Sequence, residues 1–110
     1  MNIGFALIND EKMKEMNKKY LGGNGSTDVL AFPVKEKLPD GVYFLGEIVV
    51  NKDAARRQAK QYKVSEKEEL VRLIVHGALH LLGYEDKSKE QREKMKKTED
   101  RILSKIMSNS

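Results

Sequence analysis

The stretch from Ser65 to Gly83 constrains the fold most, because its residues specify a complete helix with both ends marked. Ser65 followed by Glu68 has the pattern of a capping box, which predicts a helix that begins near Glu66. Gly83 is expected to end it, since glycine takes the left-handed conformation at no steric cost. Apolar residues at helical spacing give the helix a face to bury. These residues are Leu70, Leu73, Ile74, Gly77 and Leu81.

The chain has only two histidines, His76 and His80, and both lie on this predicted helix. At a separation of four residues they share one face, so both imidazoles can bind a single metal ion. Asp86 follows the Gly83 turn and is the candidate third ligand. The alternatives are that the histidine pair is incidental and that Asp86 only caps the next helix. Without cysteine ligands, we expect one zinc ion per chain, with other divalent metals as competitors.

Gly77, between the two histidines, needs an explanation, because glycine in a helix interior costs about 1 kcal/mol relative to alanine. It leaves room either for a ligand or for a close neighbour. It also stands where zinc peptidases with a related histidine spacing carry their general-base glutamate. The sequence therefore argues against a standard metallopeptidase, although a hydrolase of peptides or small amides remains a third candidate.

The other segments predict three strands and two helices before the helix that carries the histidines, and one helix after it. We expect a strand over Ile3–Ile8, a helix from Asp10 to about Tyr20, and a short strand Asp28–Phe32 stopped by Pro33. A polar connection Lys35–Gly41 then leads to a long strand Val42–Val50, which is interrupted at Gly46 and Glu47. A helix Lys52–Tyr62 capped by Asn51 follows, and a final helix opened by Ser88 and Gln91 runs to about Met107. The expected buried residues are Met13, Met16, Tyr20, Ala55, Ala59, Tyr62, Met95, Ile102, Leu103 and Ile106. The order β-α-β-β-α-α-α predicts an α+β fold with a small mixed sheet covered by helices and the metal site on a central helix.

Length and composition predict a single domain over residues 1–110, with 39% hydrophobic and 35% charged residues. No apolar run approaches the roughly 20 residues that span a bilayer, and no secretory signal is visible. The absence of cysteine is compatible with a reducing cytosol. We therefore expect a cytoplasmic monomer that does not interact with membranes.

The basic residues are unevenly distributed in a chain whose net charge is +4. Arg56, Lys60 and Lys63 share one helical face, and a second basic run extends from Lys87 to Lys97. Solvated helix faces explain most such runs, and contacts with the phosphates of a nucleic acid are the alternative.

Three segments together resemble the YbeY family of metal-dependent endoribonucleases. His-Gly-x-Leu-His-Leu-x-Gly-Tyr followed by an acidic residue, at residues 76–85, is similar to the family signature. Residues 27–33, Thr-Asp-Val-Leu-Ala-Phe-Pro, and residues 45–50, Leu-Gly-Glu-Ile-Val-Val, resemble two further family segments, and the order agrees from about Ile3 to Ile106. The resemblance implies an endoribonuclease that acts in ribosomal RNA maturation and ribosome quality control, with ribosomal RNA and the small ribosomal subunit as partners. We expect single-stranded RNA as its substrate, because a single strand can bend its backbone into a narrow cleft.

Three positions depart from the family pattern. Asp86 stands where the third ligand is usually histidine, and Leu21 follows Tyr20 where the family usually has arginine. The N-terminus also looks short, as if an initial strand and helix were absent. Leu21 favours an alternative function, that of a non-catalytic ribosome assembly factor with a structural metal.

The residues that would transfer protons are less clear from the sequence. Asp28, Glu47 and Glu85 are the candidate general bases because they lie near the matched motifs. The resemblance also suggests that Thr27 and Asp28 brace the site.

Overall fold

The computed structural model describes residues 1–23 and 25–108, in which three strands and four helices follow one another in the predicted order. These are β1 (Asn2–Ile8), α1 (Asp10–Leu21), β2 (Val29–Lys37), β3 (Tyr43–Asn51), α2 (Lys52–Tyr62), α3 (Glu66–Leu81) and α4 (Lys89–Ser108). The sheet has the order β1-β3-β2, with β1 parallel and β2 antiparallel to β3. The predicted α+β class with a small mixed sheet is confirmed. No helix in the described part of the chain is long and apolar enough to cross a membrane.

Strand β3 forms the centre of the molecule because successive side chains of a strand point to opposite faces of its sheet. Ile48 and Val50 pack into a core that includes Leu73 and Leu81 of α3. Val49, on the other face, packs against Met13 of α1. Helix α3 therefore covers one face of the sheet and helix α1 covers the other.

Two glycines let α3 approach the sheet closely. A Cβ at Gly77 would lie 2.7 Å from Ile48 Cγ2, so close packing against β3 explains this glycine. A Cβ at Gly46 would lie 2.5 Å from the carbonyl oxygen of Phe32 and 2.9 Å from Leu81 Cδ2. The register of β1 on β3 also shifts next to Gly46, which confirms the predicted interruption of the long strand.

The prediction that β2 stops at Pro33, and that a polar connection begins at Lys35, is wrong. The strand continues to Lys37, with a shift in its pairing between Pro33 and Glu36. Proline is tolerated because β2 is an edge strand, so its missing N–H breaks no essential ladder bond. Lys35 lies in the irregularity with a φ of 53°.

The burial predictions hold at the middle of the helices and fail at their ends. Met13, Ala55, Ala59, Met95 and Leu103 are buried, whereas Met16 and Ile102 are only half-buried. Tyr20, Tyr62 and Ile106 are exposed, so their predicted burial is wrong. Each of these three lies in the last turn of its helix. Helical periodicity identifies the inward face, but it does not show how far along the helix a neighbouring element extends to cover it.

Asn51 joins α2 to α1 and to the start of β2. Its side-chain oxygen accepts hydrogen bonds from the backbone N–H groups of Asp53 and Ala54, which confirms it as the cap of α2. Its Nδ2 donates to Asp10 Oδ1 at 2.7 Å and to the carbonyl oxygen of Thr27 at 3.1 Å. The hydrogen bonds that Arg57 donates to Asp10 hold the pKa of that carboxyl group below its usual range.

Candidate metal centre and the clefts beside it

The two ends of α3 are formed as the sequence predicts. Ser65 Oγ accepts a hydrogen bond from the backbone N–H of Glu68. At the other end, Gly83 N donates to His80 O and Tyr84 N donates to Leu79 O, while Gly83 has a φ of 100°. This is the hydrogen-bond pattern of a Schellman motif. The motif reverses the chain, so that the segment after Gly83 returns along α3.

The reversal brings Asp86 to the two histidines. The Nε2 atoms of His76 and His80 are 3.2 Å apart, and Asp86 Oδ2 lies 3.6 Å from His80 Nε2 and 3.9 Å from His76 Nε2. Zinc–ligand bonds of about 2.0–2.1 Å at tetrahedral angles would place ligand atoms roughly 3.3 Å apart. The three donors thus lie close to the spacing that one ion requires.

The other nitrogen of each imidazole is already used. His76 Nδ1 lies 3.0 Å from Glu99 Oε2, and His80 Nδ1 lies 3.1 Å from the carbonyl oxygen of Tyr84. A carbonyl oxygen and an ionised carboxylate can only accept, so both Nδ1 atoms donate their protons. In the neutral rings, two Nε2 lone pairs then face each other and Asp86, an arrangement that favours a cation between them.

Glu99 is a functional candidate that the sequence analysis missed. It lies 23 residues after His76, on α4, and it is 8% exposed. The available signal is its position four residues after Met95 and four before Leu103, which places a carboxylate on the buried face of the helix. A buried carboxylate needs a partner, and His76 provides one.

Arg72 connects Glu99 to a wider group of charges between α3 and α4. It lies 3.3 Å from Glu99, 3.5 Å from Asp100 and 3.4 Å from Glu69. The Arg72–Glu69 approach is an ion pair without hydrogen-bond geometry, since Glu69 Oε1 is buried and accepts no hydrogen bond. Burial accordingly raises the pKa of Glu69, against the opposing effect of Arg72.

The interaction with Glu99 also changes the acidity of His76. The hydrogen bond to the carboxylate raises the pKa of the imidazole above 6.5, while burial acts in the opposite direction. In the metal-free protein, the proton that this imidazole gains sits on Nε2, because Nδ1 already donates to Glu99. A metal ion and a proton therefore compete for the same atom.

The alternative role of Asp86, as the cap of the final helix, is wrong. Helix α4 begins at Lys89, and its cap is Ser88, whose Oγ accepts from the backbone N–H of Gln91. Gln91 Oε1 in turn accepts from the backbone N–H of Ser88, which confirms the predicted capping box. The side chain of Asp86 is directed instead at the two imidazoles.

Two clefts adjoin the three-residue cluster. One has a volume of about 470 Å³, and its lining includes Asp28, Gln58, Tyr62, Arg72, His76 and Glu99. The other has a volume of about 360 Å³, and its lining includes Lys35, His80, Tyr84, Glu85, Asp86 and Lys87. Since each cleft is lined by one of the two histidines, an extended ligand that fills both would pass the cluster.

The structure separates the three candidate general bases. Asp28 borders the larger cleft, where its Oδ2 accepts a hydrogen bond from Gln58 Nε2 at 3.2 Å. Glu85 borders the smaller cleft. Glu47 alternates with Ile48 along β3, so its side chain lies on the face of the sheet opposite α3. Glu47 is therefore not brought to the cluster.

The basic face predicted on α2 is present, but its members differ. Arg56 forms ion pairs with Asp53 at 4.0 Å and with Glu66 at 3.5 Å. Lys60 and Lys63 are exposed near the end of the helix that contributes Gln58 and Tyr62 to the larger cleft. The two lysines are thus better placed than Arg56 to meet an external anion.

The fold and the cluster define a small α+β protein with a candidate His-His-Asp metal centre on its central helix. Residues 1–107 match the family model described as endoribonuclease YbeY. The chain belongs to the endoribonuclease YbeY family, whose members are named as enzymes that cleave RNA.

Individual relatives agree with this assignment. The chain is 47% identical over 105 residues to an endoribonuclease YbeY from Thermodesulfovibrio yellowstonii and 42% identical over 107 residues to one from Aquifex aeolicus. These matches cover 94% and 96% of the chain, and 66% and 71% of the two relatives. A solution structure of a Thermotoga maritima protein is similar with a TM-score of 0.59 and 36% identity, over 97% of this chain and 71% of that one. The chain thus spans about two thirds of the length of the proteins it matches.

Replacing Glu99 should weaken the metal site without changing its ligands. We expect Glu99→Gln to lower zinc affinity about 10–100-fold, because His76 loses the charged acceptor that orients it. Asp100→Asn is the matched control. Asp100 follows Glu99 on α4 and also pairs with Arg72, but its ion pairs do not include His76. Competition with a chromophoric chelator measures both affinities. Equal losses in the two variants would show that Glu99 acts only through Arg72.

The raised pKa of His76 predicts a pH dependence that reverses when metal is added. In chelator, protonated His76 stabilises the fold fully below pH 6.5, and this contribution is lost as the pH rises through the folded-state pKa. As the pH rises from 6.5 through the folded-state pKa of His76, the melting temperature of the parent in chelator should therefore fall relative to that of Glu99→Gln. With excess zinc it should rise instead, since fewer protons compete for Nε2. A parent-to-variant difference that stays constant with pH in chelator would contradict this assignment.

Proposed function

We propose that this chain is a zinc-dependent endoribonuclease that cuts single-stranded RNA during ribosomal RNA maturation and ribosome quality control in the cytoplasm. Its zinc ligands would be His76, His80 and Asp86. The observation that carries the proposal is the converging cluster between two clefts, in a chain that belongs to a family of RNA-cleaving enzymes. The ribosomal role is supported by the family resemblance.

The donor set suits a catalytic ion, because three protein ligands leave one tetrahedral position open. A zinc ion bound there would lower the pKa of a water molecule from about 15.7 towards about 7 and would polarise a phosphoryl oxygen. The protein supplies orientation: Glu99 and the carbonyl oxygen of Tyr84 hold the two imidazoles with Nε2 directed inward. Asp86 adds a negative charge that balances part of the ion's charge.

Two carboxylates remain as proposed proton acceptors. Glu85 lies next to Asp86 in the chain and borders the smaller cleft, and Asp28 borders the larger cleft beside His76. A general base has to reach the attacking water or hydroxyl group within hydrogen-bonding distance. Their placement on opposite sides of the cluster means that only the one facing the attacking group acts.

Basic side chains on both sides of the cluster suggest how the RNA backbone would run. Lys35 and Lys87 border the smaller cleft, and Arg72 and Lys96 border the larger one. Phosphates contacted at both ends would position the strand without reading its sequence. The exposed ring of Tyr62 at the larger cleft offers a surface for base stacking, which is available only to an unpaired base.

The alternative, an RNA-binding assembly factor with a structural metal, is favoured by Leu21. This residue stands where the family usually has arginine, and it is exposed at the end of α1. The two functions differ in one measurement. An assembly factor would bind ribosomal RNA and zinc without cutting the RNA, whereas the nuclease would lose cleavage when chelator is added.

Substitutions at Asp86 test whether this residue is a metal ligand or has only a local structural role. Asp86→Ala should reduce zinc affinity by orders of magnitude and abolish cleavage of a ribosomal RNA precursor, and Asp86→His should restore zinc binding. Ser88→Ala is the control, because it removes the cap of α4 at a cost of about 1 kcal/mol while leaving the donors intact. Elemental analysis and gel-based cleavage assays measure the two effects. Undiminished zinc in Asp86→Ala would place the third ligand elsewhere.

Salt dependence tests which lysines contact phosphate. Replacing two phosphate-binding lysines with glutamine should flatten the salt dependence of RNA binding by up to about 1.4 units, at about 0.7 per contact. We expect this for Lys35 with Lys87 and for Lys60 with Lys63. The control pair is Lys14 with Lys18, on α1 at the opposite face of the sheet. The slopes come from fluorescence anisotropy with labelled RNA, and slopes equal to that of the control would assign the lysines to solvated surface.

A further inference from the structure

The larger cleft has hydrogen-bond acceptors that the described part of the chain leaves unused. Its lining includes the carboxylates of Asp28, Glu69 and Glu99. Glu99 has partners in His76 and Arg72, but Glu69 Oε1 is buried and, within the described residues, accepts no hydrogen bond. An acceptor shut off from water without a donor is costly, so this cleft favours a ligand that brings several N–H groups.

Asp28 and Gln58 present a row of three hydrogen-bonding groups at the same cleft. Gln58 Nε2 donates one of its two N–H groups to Asp28 Oδ2 at 3.2 Å, which leaves the other N–H for a ligand. An ionised carboxylate can only accept, so this contact also fixes which end of the amide faces Asp28. The row is therefore one donor, Gln58 Nε2, followed by two acceptors, Asp28 Oδ2 and Oδ1.

This row matches the Watson–Crick edge of guanine, which presents the acceptor O6 followed by the donors N1–H and N2–H. Adenine and cytosine have an acceptor at the middle of that edge, which would meet the middle acceptor of the row, Asp28 Oδ2, in either orientation. Uracil has a donor in the middle but a carbonyl oxygen on each side, and one of these would meet Asp28 Oδ1. Sites that hydrogen-bond a ligand reject analogues that leave their polar groups unpaired, so the row selects guanine.

Tyr62 gives a bound base a surface to stack on. It lies four residues after Gln58 on α2, so the two side chains share one face of the helix. Its ring borders the same cleft and is 57% exposed. The volume of about 470 Å³ lies within the range of about 300–1,000 Å³ that is usual for small-molecule sites. Stacking holds any base, so the selection falls to Asp28 and Gln58.

We infer that the larger cleft is a guanine subsite, in which Asp28 and Gln58 select the base and Tyr62 stacks on it. His76 borders the same cleft, so a guanosine bound there lies next to the cluster and determines which phosphate reaches it. The inference rests on the proposed RNA-cleaving function and adds a base preference to it. It also assigns Asp28 to recognition, which leaves Glu85, at the smaller cleft, as the proton acceptor.

Short single-stranded RNA oligonucleotides test this inference. One consists of uridine alone, and three others carry a single central guanosine, adenosine or cytidine. We expect the guanosine strand to bind about tenfold or more tightly than the others, which is the scale of a bidentate base contact. The zinc-loaded protein should cut it at one fixed position relative to the guanosine. Fluorescence anisotropy in chelator measures binding to the intact strands, and gels measure cleavage with zinc.

Base analogues test whether the Watson–Crick edge is what the cleft recognises. Inosine keeps O6 and N1–H but lacks the amine at position 2, so its strand should bind with an affinity between those of guanosine and adenosine. 7-Deazaguanosine is altered only on the other side of the base, and it should bind like guanosine.

Variants of the row should change the preference between bases. Asp28→Asn and Gln58→Leu should each bring the ratio of guanosine to adenosine affinity towards one. Lys96→Gln is the matched control, because Lys96 borders the same cleft but offers only a positive charge. It should weaken the binding of all four strands by the same factor and leave the ratio unchanged.

Three results would overturn the inference: equal affinities for the four strands, a preference for another base, and an unchanged ratio in both Asp28→Asn and Gln58→Leu. Cleavage without any base preference would also overturn it, while leaving the proposed nuclease function intact. A guanosine preference in binding without cleavage of any strand would support the subsite and contradict the nuclease.

Discussion

The contact between Gly77 of α3 and Ile48 of β3 sets the position of α3, the helix that carries His76 and His80. A side chain at residue 77 would meet Ile48 Cγ2 at 2.7 Å, so only glycine lets the helix lie this close to the central strand. His76 precedes Gly77 and therefore lies next to this contact, with His80 one turn further along the helix. A displacement of α3 would change the distance from His76 to Glu99 on α4, because the two helices are separate elements that meet at this point.

The two imidazoles and Asp86 form an arrangement of lone pairs and negative charge that favours binding of a cation. Glu99 and the Tyr84 carbonyl oxygen fix both Nδ1 protons, so two Nε2 atoms meet at 3.2 Å with Asp86 beside them. A proton relieves this arrangement in the absence of metal, which agrees with the raised pKa of His76. Arg72 offsets the cost of burying Glu99 by pairing with it. The stability of the metal-free protein and its affinity for metal therefore depend on the same few groups.

The irregular edge strand β2 serves both the sheet and the candidate site. The irregular part of β2 contains Lys35, which also borders the smaller cleft, so the feature that blocks this edge also brings a positive charge near His80.

The sequence by itself determined the local features. The capping pairs Ser65 with Glu68 and Ser88 with Gln91, the Gly83 turn and the histidine pair all involve residues within a few positions of one another, so spacing alone predicted them. The family resemblance likewise rested on contiguous segments, and it led to the correct family. The order of elements followed from the same local patterns.

Only the tertiary structure decided features that depend on distant parts of the chain. The partnership of Glu99 with His76 joins residues 23 positions apart, and no local pattern pairs them. The extension of β2 past Pro33 depends on its place at the sheet edge, and the exposure of Tyr20, Tyr62 and Ile106 depends on where neighbouring elements end. The separation of Glu47 from the site depends on which face of β3 meets α3. Periodicity and capping report the interactions of a residue with its near neighbours in sequence, whereas these features arise from the packing of one element against another.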